Sequence, residues 1–416
     1  MTTEALPLVG SAVTVPWGCW DPDTTLELSF PRRFMIQVNG MRDGRQLSVS
    51  TLASAVREPL DSKPLRELAA AARTVAIAVD DITRPTPTAE ILPILLSELD
   101  GIAPENIKIL VALGAHRPMV RAELERKLGA AIVDAFDIEQ HHPYENLVDL
   151  GRSSRGTPIF LNRSFCEADL KIALGGVMPH PYMGFGGGAK LVVPGLAGID
   201  TLQANHQPAV TGISGGLGNP DVDARRDVEE IALKAGLAFS CNVVVNSRRQ
   251  VAGLVSGHPV SAHRAAARLA TELYATTVQG APYDVVCLNA YPKDGELLQV
   301  GNALNCYRSS RQPLLKPGGT LVITACCQLG RGYHSLHGPG MRLHRTPTVK
   351  PFLEGREVVV FSPHLNDRDF RVSFAAEYRL FTTWAALSAH LEAKHHGSVS
   401  VGVFPTAPLQ ICTSVS

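Results

Sequence analysis

Short apolar runs alternate along the chain with stretches in which apolar residues recur at helical spacing. The runs at 75–79, 106–113 and 170–174 are almost wholly apolar, which is typical of parallel strands buried on both faces. Helical spacing follows the first two runs, at 89–99 and 123–135. Alternating strands and helices of this kind predict an α/β fold with a parallel sheet.

The same patterns predict further strands and helices before and after these three runs. Residues 24–38 alternate apolar and polar positions, as a half-buried strand does. Residues 59–72 have apolar side chains on one helical stripe, with Asp61 or Ser62 as N-cap. Helices are also predicted at 221–235 and 261–279, and a strand at 241–245.

A second α/β set begins after Gly280, Ala281 and Pro282, a sequence typical of a domain boundary. Strands are predicted at 283–288, 321–325 and 398–404, and a helix at 383–394. A chain of 416 residues exceeds one ordinary hydrophobic core. We therefore expect two α/β domains, residues 1–280 and 281–416, each with a Rossmann-like parallel sheet.

The composition limits the classes of partner and the cellular compartment that we expect for this protein. The 39 basic and 39 acidic side chains give a formal charge of +0, which provides no field for nucleic acid or an anionic membrane. No apolar run reaches the roughly 18 residues of a membrane span, and the first residues lack a basic region typical of a signal peptide. The eight cysteines include no C-x-x-C pair. We expect a cytoplasmic protein with a small-molecule partner, whose oligomeric state the sequence does not indicate.

One glycine-rich stretch, 175–206, concentrates polar chemistry: GGVMPHPYMGFGGGAKLVVPGLAGIDTLQANH. His180 precedes its glycines, Lys190 directly follows them, and His206 comes later. Ala189 replaces the second glycine of a Walker A loop, and a proline-rich segment stands where a Rossmann fingerprint needs a strand. We expect few regular elements here and a loop that holds a cofactor or anion, with an ordinary surface loop as the alternative.

Polar side chains also follow the first two predicted strands. Asp81 and Arg84 come just after 75–79, and His116 comes just after 106–113. Because ligands of parallel sheets bind outside the carboxyl ends of the strands, these positions favour function. Arginine suits a carboxylate, and histidine suits proton transfer or a transition metal. The residues alone leave open a turn held by Asp81 and Arg84 and a histidine used only in packing.

In their order along the chain, DITRP at 81–85, GAH at 114–116, PHPYMGFGGGAK and PGLAGIDTLQANH resemble the motifs of one family. This family is the nickel-pincer lactate racemase family, the LarA-type 2-hydroxyacid racemases and epimerases. The resemblance covers most of the chain. It implies an active site in the cleft between two Rossmann-like domains.

The resemblance also implies a cofactor, a nickel(II) pyridinium-3,5-bisthiocarboxylate mononucleotide, with a covalent link through Lys190 in some members. His206 matches the nickel ligand. His116 and His180 match the pair that exchanges the substrate hydroxyl proton while the α-hydrogen moves as hydride to the cofactor and returns to the opposite face. Residues 295–305 resemble a helix of the family that carries a glutamine, here Gln299. Further positions match cofactor or substrate contacts: Asp81, Ile82, Thr83, Arg84 and Gln299.

One position departs from the family pattern. Lactate racemases carry a lysine where this chain has Asn302, three residues after Gln299. Lys293 is the nearby cation that could replace it beside the substrate. We therefore expect a 2-hydroxyacid other than lactate. We also expect the polar loop 328–338, which contains Arg331, His334 and His337, to face the cleft and to contribute to substrate choice.

Two other functions remain open on the sequence. A histidine-metal hydrolase needs three protein ligands to a zinc-like ion, although no H-x-x-x-H or H-E-x-x-H spacing occurs near these histidines. A protein that carries nickel or a nucleotide without catalysis would need the same glycine-rich stretch and His206.

Overall fold

The structure, a computed structural model, describes residues 8–9, 12–21, 23–210 and 216–413. Its strands, in chain order, are β1 (Leu8–Val9), β2 (Ala12–Pro16), β3 (Thr25–Ser29), β4 (Phe34–Val38), β5 (Val75–Val79), β6 (Ile107–Val111), β7 (Asp137–Gln140), β8 (Leu147–Arg152), β9 (Pro158–Asn162), β10 (Leu170–Gly176), β11 (Pro179–His180), β12 (Gly184–Phe185), β13 (Leu237–Val245), β14 (Val251–Gly257), β15 (Ala275–Thr277), β16 (Tyr283–Asn289), β17 (Leu315–Thr324), β18 (Glu357–Phe361), β19 (Arg379–Phe381), β20 (Val399–Phe404) and β21 (Ile411–Thr413).

The α-helices are α1 (Val49–Arg57), α2 (Leu65–Ala69), α3 (Thr88–Ser97), α4 (Arg121–Leu128), α5 (Ala130–Ala135), α6 (Arg163–Glu167), α7 (Ile199–Val210), α8 (Asp223–Lys234), α9 (Pro259–Leu273), α10 (Leu297–Val300), α11 (Leu304–Ser309), α12 (Asp367–Ser373) and α13 (Trp384–Lys394). Single 3₁₀ turns lie at Pro104–Asn106, Gly188–Leu191, Gly301–Ala303 and Pro351–Leu353.

The chain divides into two compact units, each with its own sheet. The first unit comprises Met1–Asp43, Leu273–Gly332 and Arg345–Ser416. The second unit comprises Gly44–Glu272 and Tyr333–His344. Both sheets are mostly parallel, and the mixed α/β class with Rossmann-like sheets is as predicted.

The sheet of the second unit has the strand order β14-β13-β10-β5-β6-β7. All neighbours pair in parallel except β14, which is antiparallel to β13. Every residue of β5 and β10 is buried, because these central strands are covered on both faces. The carboxyl ends of β5, β6 and β10 therefore lie side by side, and the predicted motif loops leave from them.

The sheet of the first unit has the order β1-β4-β20-β16-β17-β18-β19. Alternate residues of β16 enter different cores: Val286 and Leu288 pack in one apolar cluster, and Val285 and Cys287 pack in the other. The second of these clusters includes β4, β20 and helix α13. The sheet is therefore buried on both faces, as the apolar runs predict.

The two units do not follow the predicted division at residue 280. Strand β4 pairs in parallel with β20, with Phe34 opposite Val399, so an N-terminal segment completes the sheet of the first unit. Conversely, Tyr333–His344 belongs to the second unit. Both exchanges involve contacts between residues far apart in sequence, which local periodicity does not reveal.

Several predicted elements differ from the structure. Residues 59–72 contain only the short helix α2, whereas α1 precedes them, and residues 295–305 are broken by the 3₁₀ turn Gly301–Ala303. The expectation of few regular elements in 175–206 is wrong at its end, because α7 begins at Ile199. Within the described parts of the chain, no helix has the length and apolar character that a bilayer span requires.

Candidate functional site

Two adjacent carboxylates follow β5, and their partners differ. One Asp80 oxygen lies 2.6 Å from Lys127 Nζ. Its other oxygen accepts hydrogen bonds from Gly176 N (2.9 Å) and Thr86 Oγ1 (2.6 Å). Lys127 is buried, and its Nζ also donates to the carbonyls of Arg84 and Thr86. Asp80 therefore joins the ends of β5 and β10 to helix α4, which is a structural role.

Asp81 points to His116 instead. Its Oδ1 accepts from Thr83 N (2.7 Å) and Thr83 Oγ1 (2.5 Å), and its Oδ2 lies 2.6 Å from His116 Nδ1. Burial by itself would raise the pKa of the Asp81 carboxyl, but His116, Arg84 and Thr83 together hold that pKa well below its usual value. Asp81 is therefore an anion that fixes the His116 ring. Ile82 is buried in the same turn.

Arg84 extends this group of side chains. Its Nη1 donates to Thr83 Oγ1 over 2.7 Å, and its charge contributes to the lowered pKa of Asp81. The predicted turn with Asp81 and Arg84 is thus present, with Thr83 between them. Arg84 remains partly exposed, which is compatible with contact to an anionic ligand.

His116 follows β6 through a tight turn. Gly114 has φ of 57°, and its N–H donates to Gly195 O over 2.8 Å. Because Asp81 accepts from Nδ1 of His116, the neutral ring has its lone pair on Nε2. The arrangement is that of a general base with an orienting carboxylate.

His180 has the opposite arrangement. It lies on β11, which pairs with β12, and its Nδ1 accepts from the backbone N–H groups of Tyr182 (3.2 Å) and Met183 (3.1 Å). The neutral ring therefore has its proton on Nε2. These two bonds lie within the β11–β12 hairpin, and no hydrogen bond joins His180 to His116 among those described.

The glycine-rich loop is held by buried side chains of the second unit. Arg225 is fully buried and donates to the carbonyls of Met183, Phe185 and Gly187. His263 Nε2 lies 2.8 Å from Gly186 O. A Cβ at Gly184 would lie 1.9 Å from Asn219 O. Packing within the unit accounts for this glycine, whereas the sequence suggested the approach of a ligand.

Lys190 and His206 follow the loop, and the charge of Lys190 acts on His206. Lys190 lies in the 3₁₀ turn Gly188–Leu191, and its charge, after burial, is the next largest cause that lowers the pKa of His206 to about 3. His206 lies on α7, and its Nδ1 donates to Leu202 O over 2.9 Å. The ring is therefore neutral, with the Nε2 lone pair available to a metal.

Two histidines of the loop that the sequence linked to substrate choice lie beside His116 and His206 in the structure. The rings of His334 and His116 are 5.5 Å apart, those of His334 and His337 4.7 Å, and those of His337 and His206 6.0 Å. The sequence placed His334 and His337 in a specificity loop of the C-terminal domain. Their contact with His116 depends on pairing between distant segments, for which the sequence carried no signal.

Three predicted site residues belong to the first unit. Lys293 Nζ donates to Asn302 Oδ1 over 3.5 Å. Asn302 Nδ2 donates to Gln299 O (2.7 Å) and Gln299 Oε1 (3.3 Å). The structure thus joins Lys293 to the asparagine that stands in place of the family lysine.

The arrangement of His, Cys, Asp and Glu side chains limits the kinds of metal site that the described residues can form. Among the described residues, no group of three or more His, Cys, Asp or Glu side chains is arranged to hold a metal ion. A zinc site with three protein ligands, as the hydrolase alternative requires, is therefore not found in the described part of the chain. One histidine that completes the coordination of a bound cofactor needs no such group.

Comparisons with known proteins identify relatives of this chain. A family profile described as "Lactate racemase N-terminal domain" matches residues 23–214. The chain is 32% identical over 290 residues to a lactate racemase of Thermoanaerobacterium thermosaccharolyticum, covering 67% of this chain and 66% of that protein, slightly under two thirds. It is 31% identical over 297 residues to a lactate racemase of Lactiplantibacillus plantarum, covering 69% of each.

Two solved structures share the fold. The lactate racemase apoprotein of T. thermosaccharolyticum matches with a TM-score of 0.76 and 24% identity, covering 97% of this chain and 100% of that one. A Thermotoga maritima protein matches with a TM-score of 0.64 and 18% identity, covering 90% and 100%. The sequence relatives carry the further conclusion: the chain belongs to the lactate racemase family, a family of isomerases.

Proposed function

We propose that this protein is a racemase or epimerase that inverts the α-carbon of a 2-hydroxyacid. The observation that carries the proposal is the 2.6 Å contact between Asp81 Oδ2 and His116 Nδ1, because it directs a basic Nε2 away from the carboxylate. Family membership supports the reaction class. The substrate arrives as a small anion, and Arg84 supplies the guanidinium that suits its carboxylate.

His116 Nε2 accepts the hydroxyl proton of one enantiomer, and Asp81 stabilises the imidazolium that forms. His180 is the second proton-handling residue. With Tyr182 and Met183 N–H groups directed at Nδ1, His180 first presents an Nε2–H donor. To act as base for the other enantiomer, it must move its proton to Nδ1, which requires these two bonds to open. The two histidines are therefore unequal at rest.

We propose the nickel-pincer nucleotide as the cofactor, because the donor set fits it. His206 has a neutral ring whose Nδ1 is held by Leu202 O, so Nε2 can complete a nickel site that the cofactor otherwise fills. Lys190 lies close enough to affect the pKa of His206, and it is the candidate for a covalent link. When bound, this cofactor supplies the hydride acceptor that protein side chains lack.

The substrate is proposed to differ from lactate. Asn302 is a neutral amide bonded to Gln299 and Lys293, so the cation in this group is Lys293. A lysine nine residues earlier in the chain places its charge differently from one at 302. We propose that Lys293, Gln299 and Asn302 contact the substrate and cofactor, and that the polar loop 328–338 contributes to substrate choice.

The test combines nickel content with turnover in the full chain loaded with cofactor. We expect about one nickel per chain, since one histidine ligand serves one ion. His206→Ala should lose the nickel, whereas His116→Ala and His180→Ala should keep it and lose inversion of enantiopure 2-hydroxyacids. His142→Ala, at an exposed histidine, is the control. Unchanged turnover in both His116→Ala and His180→Ala would refute the assignment.

An isotope experiment distinguishes the proposed racemase or epimerase from a non-catalytic carrier of nickel or nucleotide. Substrate with deuterium at the α-carbon should keep the deuterium in the inverted product, because hydride does not exchange with water during direct transfer. Complete loss of deuterium would indicate enolisation instead, and absence of any inversion would favour a carrier.

A further inference from the structure

The four imidazoles of His116, His334, His337 and His206, here called the imidazole row, are unequal in their hydrogen bonding. His116 Nδ1 donates to Asp81 and His206 Nδ1 donates to Leu202 O. His337 Nδ1 lies 3.5 Å from Leu343 O. Within the residues that the structure describes, none of the four Nε2 atoms has a hydrogen-bond partner.

His334 is the exception in this row. Its Nδ1 accepts from the backbone N–H groups of Leu336 (3.2 Å) and His337 (3.3 Å). A proton on Nδ1 would meet both of these N–H groups, so the neutral ring has its proton on Nε2. His334 therefore offers a donor beside His116, whose Nε2 is an acceptor.

The segment that carries His334 is fixed to the second unit. Its backbone forms an antiparallel bridge with His116, and Ser335 N donates to Ala115 O over 2.8 Å. Leu336 and Leu343 are buried in the core of the second unit. Arg342 forms an ion pair with Asp200. The His334 ring is thus positioned from two sides, as preorganised donors require.

His334 is also unsuited to proton exchange. Burial first, and then the neighbouring imidazoles and Arg84, hold the pKa of His334 well below its usual value. The ring therefore stays neutral near pH 7 and keeps its Nε2 proton while His116 gains one.

From this geometry we propose that His334 is a catalytic residue that donates a hydrogen bond from Nε2–H to the substrate oxygen whose proton His116 takes. The proposal rests on the proposed function. The two ring centroids lie 5.5 Å apart. We propose that the substrate oxygen binds within about 2.8 Å of both Nε2 atoms, the distance of an ordinary hydrogen bond. As the O–H bond breaks, its proton moves to His116 Nε2, and the electron pair left on oxygen is stabilised by the His334 N–H.

The variants His334→Phe and His334→Gln test this role with cofactor-loaded enzyme. Phenylalanine keeps a planar ring without the donor, and glutamine keeps an N–H near the position of Nε2. We expect kcat of His334→Phe to fall about a hundredfold to a thousandfold, as for loss of one oxyanion donor, with KM changed less than about threefold. His334→Gln should recover at least about tenfold of that loss. Tyr144→Phe, at an exposed aromatic residue outside the proposed site, should match wild type.

The outcomes separate this inference from the proposed function. The probes are enantiopure lactate, 2-hydroxybutyrate and malate, and kinetics use whichever the wild type inverts fastest. A wild type that inverts none of these acids or any other 2-hydroxyacid overturns the proposed function. An active wild type with an equally active His334→Phe, or with a loss confined to KM, overturns only the role of His334.

A second measurement requires no turnover and covers the case in which His334→Phe folds poorly. In ¹⁵N spectra of the histidine-labelled full chain without cofactor, His334 should be the neutral Nε2–H tautomer from pH 6 to pH 8, with the His334→Gln spectrum giving its assignment. An Nδ1–H tautomer or an imidazolium at pH 7 would overturn the inference.

Discussion

Asp80 and Asp81 are adjacent carboxylates with separate roles. Asp80 is paired with the buried ammonium of Lys127, and Asp81 is paired with His116. The sequence offers both residues at the end of the same strand, and only the DITRP motif favours Asp81. The structure adds the physical reason, because successive residues of an extended segment point in opposite directions.

This difference predicts opposite effects of two conservative changes. Asp80→Asn removes the anion beside a buried lysine and should lower the free energy of unfolding by about 3 to 5 kcal/mol. Asp81→Asn removes the acceptor that fixes His116 and should lower kcat about a hundredfold or more, with a smaller effect on stability. Urea denaturation and racemisation assays of both variants test this. Equal loss of activity and stability in the two variants would contradict it.

Individual residues also show which parts of the candidate site could be predicted from the sequence. Asp81, His116 and His206 were identified from strand ends and motifs. His334 and His337 were assigned to a loop of the other domain. Their contacts with His116 and His206 could not be predicted, because they join residues more than a hundred positions apart. Periodicity and short motifs report local order, and these contacts are not local.

At the scale of elements, the strands were the most predictable part. Strands β5, β6 and β10 are continuous apolar runs, and they occupy the centre of the second unit's sheet. Edge strands such as β19 are short and partly exposed, so their pattern is weak. Helix α7 was missed because glycine and proline precede it closely, and its residues 199–210 mix polar and apolar types.

The glycine-rich loop gives a prediction at this scale. Gly184 has φ of 73°, and a Cβ there would overlap Asn219 O. Gly184→Ala should therefore destabilise the second unit by about 2 kcal/mol or more, through left-handed backbone and steric overlap. Gly40→Ala, where a Cβ meets nothing within 4 Å, should change stability by less than about 0.5 kcal/mol.

Thermal or chemical unfolding of both glycine variants measures the difference. Equal stability of Gly184→Ala and Gly40→Ala would show that the loop relaxes without loss. In that case the glycines would have to be explained by approach of a ligand, which was the interpretation from sequence.

At the scale of the whole molecule, buried neutral histidines couple stability to pH. Burial is the largest cause that lowers the pKa of His141 to about 4 and of His206 to about 3. It also lowers the pKa of His263 and His334 well below the usual value. All four belong to the second unit. In the first unit, burial raises the pKa of Asp294 to about 6, which acts in the opposite direction.

The direction in which the free energy of unfolding changes with pH follows from the protons bound by the folded and the unfolded chain. Between pH 6.5 and about 4, the unfolded chain protonates His141 while the folded chain does not, so the free energy of unfolding falls as pH falls through this range. A difference of this size corresponds to about 3 kcal/mol for one fully buried histidine. We expect His141→Gln to lose less stability than wild type between pH 7 and pH 4.5, while exposed His142→Gln behaves like wild type. Urea denaturation at both pH values measures the difference between variants, which removes the opposing contribution of Asp294. A pH dependence that is the same in wild type and His141→Gln would contradict the assignment of His141 as neutral in the folded state.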